Sequence, residues 1–444
     1  MNAWLERTFK VSERGSSARI EVLAGLTTFI TMSYILFVNP AVLGDAGMDR
    51  QALLMATALA CAFGSILMGL LANLPFGLAP GMGMNALFTY TAVKQLGLTW
   101  QQALGATLID GCIFLVLSFL PIRERIFKEI PFNIKVATSV GIGMFVAFIG
   151  LKNAGIVVPH PATLVTMASL TSPTALVAIF GLLLTAFLLA RKVKGALFLG
   201  IMAATLVALL VPSGEGHVAN LPADGRLFAW PDPQVLGKVA FQLDLSGAWN
   251  RGLLFIVFTF TFVSIFDTAG TLVGLTTKLG WIDRERQTFP GLSRALVADA
   301  SSIVFGSAVG TSTTTVYIES ATGIAEGGRT GLAAVCTGLC FLAATVLSPL
   351  ASVIPAAATA PILILVGFLM LEPIRDLDLE DMTEALPAFL TMVMMPFTFS
   401  IAHGLIWGIL SYVILKICTG RVREIMATTW VMAILFVISI LWHP

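Results

Sequence analysis

Apolar residues in this chain fall in long blocks, each near the ~20 residues a helix needs to cross a ~30 Å hydrocarbon core. The runs lie at about 22–43, 52–74, 101–121, 134–152, 173–190, 195–212, 252–275, 291–308, 330–350, 353–372, 385–400, 403–418 and 427–442. A soluble domain usually carries about a quarter charged residues, because its surface must face water. Here 11% are charged and 57% are hydrophobic. The sequence therefore predicts an all-α polytopic membrane protein. A net charge of +1 without a basic cluster gives no sign of a nucleic-acid partner. The first run is too long for a cleaved signal and is expected to remain as the first span. Cys336 and Cys340 stand four apart on a helix, but no histidine or carboxylate sits beside them, so they read as packing residues rather than metal ligands.

Two further segments, about 83–95 and 314–325, are too short to span. The loop-like stretches LPFGLAPGMGMN and GSAVGTSTTT precede them. Charge placement tests their count. With a cytoplasmic N-terminus (Arg7, Lys10, Arg14, Arg19) and each short segment taken as one crossing, the basic loops fall on one side. Arg123, Arg125 and Lys128 lie there, with Arg191, Lys192 and Lys194, then Lys278, Arg284 and Arg286, and last Arg329, Arg375, Arg421 and Arg423. Loop 213–250 falls outside. The halves also look related: Ser65-Ile66-Leu67-Met68-Gly69 and Ser302-Ile303-Val304-Phe305-Gly306 precede the two short segments at similar distances. That placement predicts an inverted repeat of seven segments per half. The run 427–442 is then either a further crossing or a surface-lying helix.

Irregular backbone at membrane depth is tolerated only where protein or a water-filled cavity satisfies its polar groups. Pro80-Gly81-Met82-Gly83 and Gly310-Thr311-Ser312-Thr313 are the clearest interruptions, each expected to lead into a short helix with a free, positive N-terminal end. A simple kink is the bland alternative. Acidic residues at this depth are costly and default to function. Asp267 and Glu319 read as ligand- or proton-binding groups, Glu319 about one turn into the second short helix. Asp299 and Asp110 stand evenly between transport and packing. A carboxylate held away from water can exchange a proton as access alternates. Asn85 offers both a donor and an acceptor. Phe88 and Phe266 could stack on a flat ring, although most of the 30 phenylalanines must be core or lipid-facing. His403 reads as interfacial.

The stretches EVLAGLTTFITMSYILFVNP, LPFGLAPGMGMNALF, FDTAGTLVG, VGTSTTTVYIES, GGRTGL and PAFLTMVMMPFTFS span nearly the whole chain. In them the sequence resembles the AzgA-like purine permeases of the nucleobase–cation symporter-2 (nucleobase:ascorbate transporter) family. The resemblance implies fourteen helices in two inverted seven-helix repeats of the uracil-permease-like fold, with core and gate domains. It also implies short strands before half-helices three and ten, with the base held between them. Asp267 matches the family's acidic base-binding position on the eighth helix, Glu319 the acidic position on the tenth, and Asp299 the polar position on the ninth.

The expected organisation is a cytoplasmic N-terminus (1–21), core domain (22–121 and 251–350), gate domain (134–212 and 353–418), external loop (213–250) and an extra C-terminal helix (427–442). The expected activity is proton symport of purine bases (adenine, guanine, hypoxanthine) across the cell membrane, with H⁺ rather than Na⁺ as the coupled ion. No cofactor or metal is expected, and the chain is expected to pair as a homodimer in the bilayer. Substrate contacts are expected from Asp267, Glu319, Asn85, Gly83, Met84, Phe266, Thr313, Thr314 and Thr315, and proton coupling or structural polarity from Asp299, Asp267 and Glu319. An anion carrier on the same fold is disfavoured by these carboxylates. A membrane-embedded enzyme is disfavoured by four scattered histidines and the lack of an H-E-x-x-H motif.

Overall fold

The computed structural model describes residues 3–119, 129, 131–214, 216–221, 226–245, 251–281 and 289–442. Of the basic residues used to assign sidedness, Arg123, Arg125, Lys128, Arg284 and Arg286 lie outside the described residues, as does the side chain of Phe266. After a short helix α1 (Ala3–Phe9), the first apolar run forms α2 (Ala18–Met32) and α3 (Ile35–Gly44), broken only at Ser33-Tyr34. Next come α4 (Arg50–Leu67, extended as π-helix through Ala72), strand β1 (Leu78–Pro80), α5 (Met82–Ala86, extended as π-helix through Gln95) and α6 (Trp100–Ser118). Helices α7 (Phe132–Asn153), α8 (Pro173–Ala190) and α9 (Ala196–Ala208) complete the first half. Strands β2 (Val157–His160) and β3 (Leu164–Met167) form a hairpin between α7 and α8. The segment expected as an external loop holds β4 (Pro212–Ser213), β5 (Gly216–His217) and the single turn α10 (Pro233–Leu236).

The second half runs α11 (Arg251–Leu279), α12 (Leu292–Val309), β6 (Thr314–Val316), α13 (Ser320–Ala325) and α14 (Gly331–Ala343). It continues with α15 (Leu350–Val353), α16 (Ala356–Leu369), α17 (Met382–Phe397), α18 (Ile401–Cys418) and α19 (Ala427–Trp442). Among the described residues, nine helical stretches are long and apolar enough to cross a membrane, and four more apolar helices are shorter. The expected span 330–350 is less regular than the sequence suggested. After α14 the chain tightens into a 3₁₀ turn (Ala344–Leu347), and Pro349 and Pro355 set off α15 from its neighbours, as prolines without a free N–H do.

The helices pack in two groups. α14 lies against α2 and α4, and α12 against α4 and α6, with α11 alongside α6. Separately, α7 packs on α16 and α17, α17 on α18, and α16 on α8 and α9. Close approach uses small residues, as helices in lipid require. A Cβ added at Gly331 would lie 2.0 Å from the Gly69 carbonyl oxygen, and one at Gly367 would lie 2.3 Å from that of Gly143.

One end of the first group is clasped by the N-terminal segment. Arg14 donates to the carbonyls of Asn73 (2.5 Å) and Arg329 (3.0 Å) and lies over the Trp281 ring. The buried Glu21 carboxylate accepts the Arg329 and Thr330 N–H groups at 2.9 and 3.2 Å. The ends of α4, α11 and α13 therefore lie on the same face as the N-terminus. α19 packs along α18 and also sets Phe436 against Phe258 and Phe262 of α11. Lys416, fully buried near the end of α18, pairs with Glu384 (3.0 Å) of α17 and with Glu424 (2.7 Å) before α19.

Candidate functional site

Two broken helices meet in the middle of the first group. β1 and β6 pair antiparallel in the register Leu78↔Val316, Ala79↔Thr315, Pro80↔Thr314. The flanking N–H groups of Gly81 and Tyr317 reach the carbonyls of Thr313 and Gly77, both at 3.0 Å. Hydrogen-bonded and non-bonded pairs alternate along such a ladder. Thr315 therefore spends its N–H on Ala79, and Pro80, which has none to spend, sits at the non-bonded rung. Both β1 and β6 are buried. Ser65 closes on β1, accepting the Leu78 N–H (3.0 Å), while the Thr314 hydroxyl donates to Ser302 (2.7 Å). The two serines singled out as repeat equivalents thus each brace one strand.

Two expectations change here. The spacing alone puts Thr314 and Thr315 at the start of the second short helix, whereas they form the short strand that the resemblance implies before half-helix ten, a state that suits β-branched residues. Helix α13 starts only at Ser320, with Glu319 at its N-cap rather than a turn inside it. Its first N–H groups are also occupied: Ser320 and Ala321 donate to the carbonyls of Tyr317 (3.1 Å) and Ile318 (2.9 Å). The first broken helix does match the expectation. No side chain caps α5, whose residues Met82 to Ala86 are all buried. Its opening turn keeps the orphan donors of a helix N-terminus.

Polar side chains converge on this ladder. Ser264, Asp267 and Thr268 stand at i, i+3 and i+4 on α11, one face of the helix. The Ser264 hydroxyl donates to Asp110 Oδ2 (3.0 Å) of α6, and Thr268 to Asp299 Oδ2 (2.7 Å) of α12. The Thr268 and Thr315 hydroxyls share a hydrogen bond at 3.2 Å, and Thr313 reaches Asp110 Oδ2 at 3.4 Å. Asp110, which sequence alone left evenly balanced, is drawn into the cluster by the break at Thr313. Asp267 lies over the start of α5: a Cβ added at Gly81 would sit 3.2 Å from Asp267 Oδ2 and 3.1 Å from Thr315 Cγ2. Glycine lets that carboxylate approach the helix end without displacing a neighbour.

Glu319 accepts a hydrogen bond from the Tyr34 hydroxyl (2.7 Å), and the Tyr317 hydroxyl donates to the Pro80 carbonyl (2.6 Å). Asp267 and Glu319 are close enough to act on each other electrostatically. Both are half-buried, whereas Asp110, Asp299 and Asn85 are fully buried. Beside the pair, Ile318 is 49% exposed and Gly270 faces open space. The surface beside the pair is therefore open. Asn85 accepts from the Ser312 hydroxyl, and its buried Nδ2 has no hydrogen-bond partner among the described residues. Gly83 packs on α7, where an added Cβ would meet Ile142 Cγ2 at 2.8 Å. Met84 is 1% exposed, and Phe88 is core. His403 lies half-buried in the first turn of α18, away from the cluster. Sequence reasoning passed over Tyr34 and Tyr317; with four tyrosines in 444 residues, their rarity was the available signal.

The model of the permease family Xan_ur_permease matches residues 19–407. The chain belongs to that family. It is 44% identical to the adenine permease AdeP of Escherichia coli, over 99% of this chain and 96% of that one. It is 41% identical to the guanine/hypoxanthine permease PbuG of Bacillus subtilis, over 97% and 98%. Among solved structures it resembles the transmembrane domain of the cyanobacterial bicarbonate transporter BicA, with a TM-score of 0.62, 16% identity and coverage of 87% and 97%. That likeness concerns the fold alone. This permease is thus a polytopic membrane transporter of the inverted-repeat fold, not an enzyme, and the motif resemblance holds.

Proposed function

We propose that this permease imports purine bases (adenine, guanine or hypoxanthine) by proton symport with alternating access. The observation that carries the reading is the junction of the two broken helices. There, Asp267 lies over the uncapped start of α5, Glu319 stands at the mouth of α13, and the buried Asn85 amide nitrogen on α5 has no partner among the described residues. A purine edge presents ring acceptors beside N–H donors, and this site offers the complementary set. A base lacking one of those groups would leave a buried polar atom unpaired, which discriminates strongly. The purine permeases among the relatives support the same substrate class.

Asp267 and Glu319 bind the N–H edge. The donors at Gly83, Met84 and Asn85 take the ring acceptors, with Thr313, Thr314 and Thr315 supporting through side chains and strand position. Phe266 adjoins Asp267 in sequence as a stacking partner for the ring. Two neighbouring carboxylates repel when both are ionised, and a proton entering with the base relieves that repulsion. Asp267 carries the proton, and Asp299 holds Thr268 and the ladder in place. The group built on α2, α4, α6, α11, α12 and α14 acts as the core, and the group built on α7–α9 and α16–α18 as the gate that moves against it. The N-terminus lies in the cytoplasm, the bilayer is the cell membrane, and two copies associate.

The test is uptake of labelled adenine and hypoxanthine with pH and sodium varied separately. Uptake is expected to rise as the outside is acidified, to ignore sodium and to collapse with an uncoupler. Uptake that needs sodium, or accumulation that survives the uncoupler, overturns proton symport. Acidic groups at the site argue against an anion as cargo.

A further inference from the structure

On the face opposite the N-terminus, the groups proposed as core and gate meet around a cavity of about 520 Å³, lined by Asp45, Tyr90, Lys94, Gln95, Lys152 and Phe399. Its floor is aromatic. The Tyr90 ring, on the continuation of α5, meets Phe399 edge-on at 5.5 Å, and Phe399 meets Phe145 of α7 at 5.2 Å. Tyr90 is held in place, because its hydroxyl donates to Asp45 Oδ2 at 2.8 Å. Lys152 Nζ stands over both rings, 5.5 Å from Tyr90 and 5.2 Å from Phe399.

Phe399 carries a second, independent sign. Its backbone φ is +56° in the turn between α17 and α18. A bulky aromatic seldom takes that left-handed conformation, and strain of this kind persists where surrounding structure demands it. Here it aims the ring into the cavity rather than into lipid. The rim supplies hydrogen-bond donors: Lys94, Gln95 and Lys152 are all exposed. Asp45, the acceptor, is already engaged by Tyr90 and lies 3.8 Å from Arg50. The Phe399 and Tyr90 rings stand at 80° to each other, so one offers a face and the other an edge; with ammonium and amide donors around them they suit a planar ring rich in acceptor atoms.

We propose that this cavity is a second, outer docking site for the purine ring, which the base occupies before it reaches the junction of the broken helices. The ring lies against Phe399 and Tyr90, and its acceptor atoms take hydrogen bonds from Lys152, Lys94 and Gln95. Tyr90 is five residues beyond Asn85, little more than one turn along α5 and its π-helical continuation. The closed aromatic floor separates the two sites in this conformation. The inference rests on the purine reading above and on the face opposite the N-terminus being the outer one.

The test is equilibrium binding of labelled adenine and hypoxanthine to the purified full chain in lipid nanodiscs. Wild type is compared with Asp267→Asn alone and combined with Phe399→Ala or Lys152→Gln. Asp267→Asn should abolish the tight component and leave a weaker saturable one of one base per chain. Each added substitution should weaken that residual component about tenfold. Lys152→Gln alters only an exposed side-chain end, so it reads the site even should Phe399→Ala fold poorly. Residual binding that is absent, or that ignores both substitutions, overturns the outer site and leaves the central one standing. A wild-type chain that binds neither base, nor labelled guanine, overturns the purine reading itself.

Discussion

The two broken helices occupy corresponding places in the repeat yet present opposite chemistry. The first, Gly81 to Asn85, has no acid of its own, and among the described residues it has no side-chain cap and its Asn85 amide nitrogen has no partner. The second has its opening N–H groups tied into tight turns and carries Glu319 at its mouth. One half therefore supplies donors and the other acceptors, and Asp267 reaches across from α11 to bring an acceptor to the donor side. Inverted repeats share a backbone plan while their junctions diverge. A ligand with both kinds of group along one edge needs that divergence.

The comparison can be broken most directly at Asp267. Asp267→Asn keeps the shape but removes the ionisable acceptor, so purine uptake should fall at least a hundredfold with normal membrane levels on immunoblot. Uptake within threefold of wild type would remove this carboxylate from the mechanism. On the acceptor side, Glu319→Gln weakens a charge-assisted contact of about 1.5–3 kcal/mol, which predicts a ten- to hundredfold loss in kcat/KM. Tyr34→Phe removes only the bond that orients Glu319 and should cost less than Glu319→Gln; the reverse order would make Tyr34 the primary contact.

A finer probe is Gly83→Ala, which drives a methyl toward Ile142 Cγ2 at 2.8 Å. It should raise KM several-fold, and Ile142→Ala in the same chain, which removes that γ-carbon, should restore much of the loss by returning space. Failure of the pair to recover would place the defect in the helix end rather than in its contact with α7. The smallest effect concerns stability. The Ser320 hydroxyl accepts the Gly77 N–H at 2.9 Å, so Ser320→Ala should lower the unfolding temperature in detergent by a few degrees, for about 1 kcal/mol lost. An unchanged midpoint would mean that another group satisfies Gly77.

The membrane class, the spans and the positions of both interruptions were legible, because glycine, proline and short polar runs stand out against apolar blocks. The spacing did not separate the strand at Thr314–Val316 from the helix behind it, and only the family resemblance implied a strand there. Its two threonines and a valine carry the β signal, which three residues are too few to make stand out. Asp267 and Glu319 were legible as charges at membrane depth. That Asp110 would meet Thr313 was not, since the partners lie 203 residues apart and only the pairing of β1 with β6 joins them. The cavity on the face opposite the N-terminus was equally invisible, because it assembles residues from four distant segments.

The ladder between β1 and β6 is three residue pairs long, and alternate side chains along it face different neighbours. Thr313 and Thr315 look toward α6 and α11, and Thr314 toward α12. One residue inserted between Gly310 and Thr313 would shift the register by one and exchange these faces. Thr313 would then meet Ser302, Thr314 would meet Thr268, and Thr315 would take the apolar slot of Val316. The length of this short crossing is therefore fixed to the single residue, while the loops at either membrane face are free to grow or shrink.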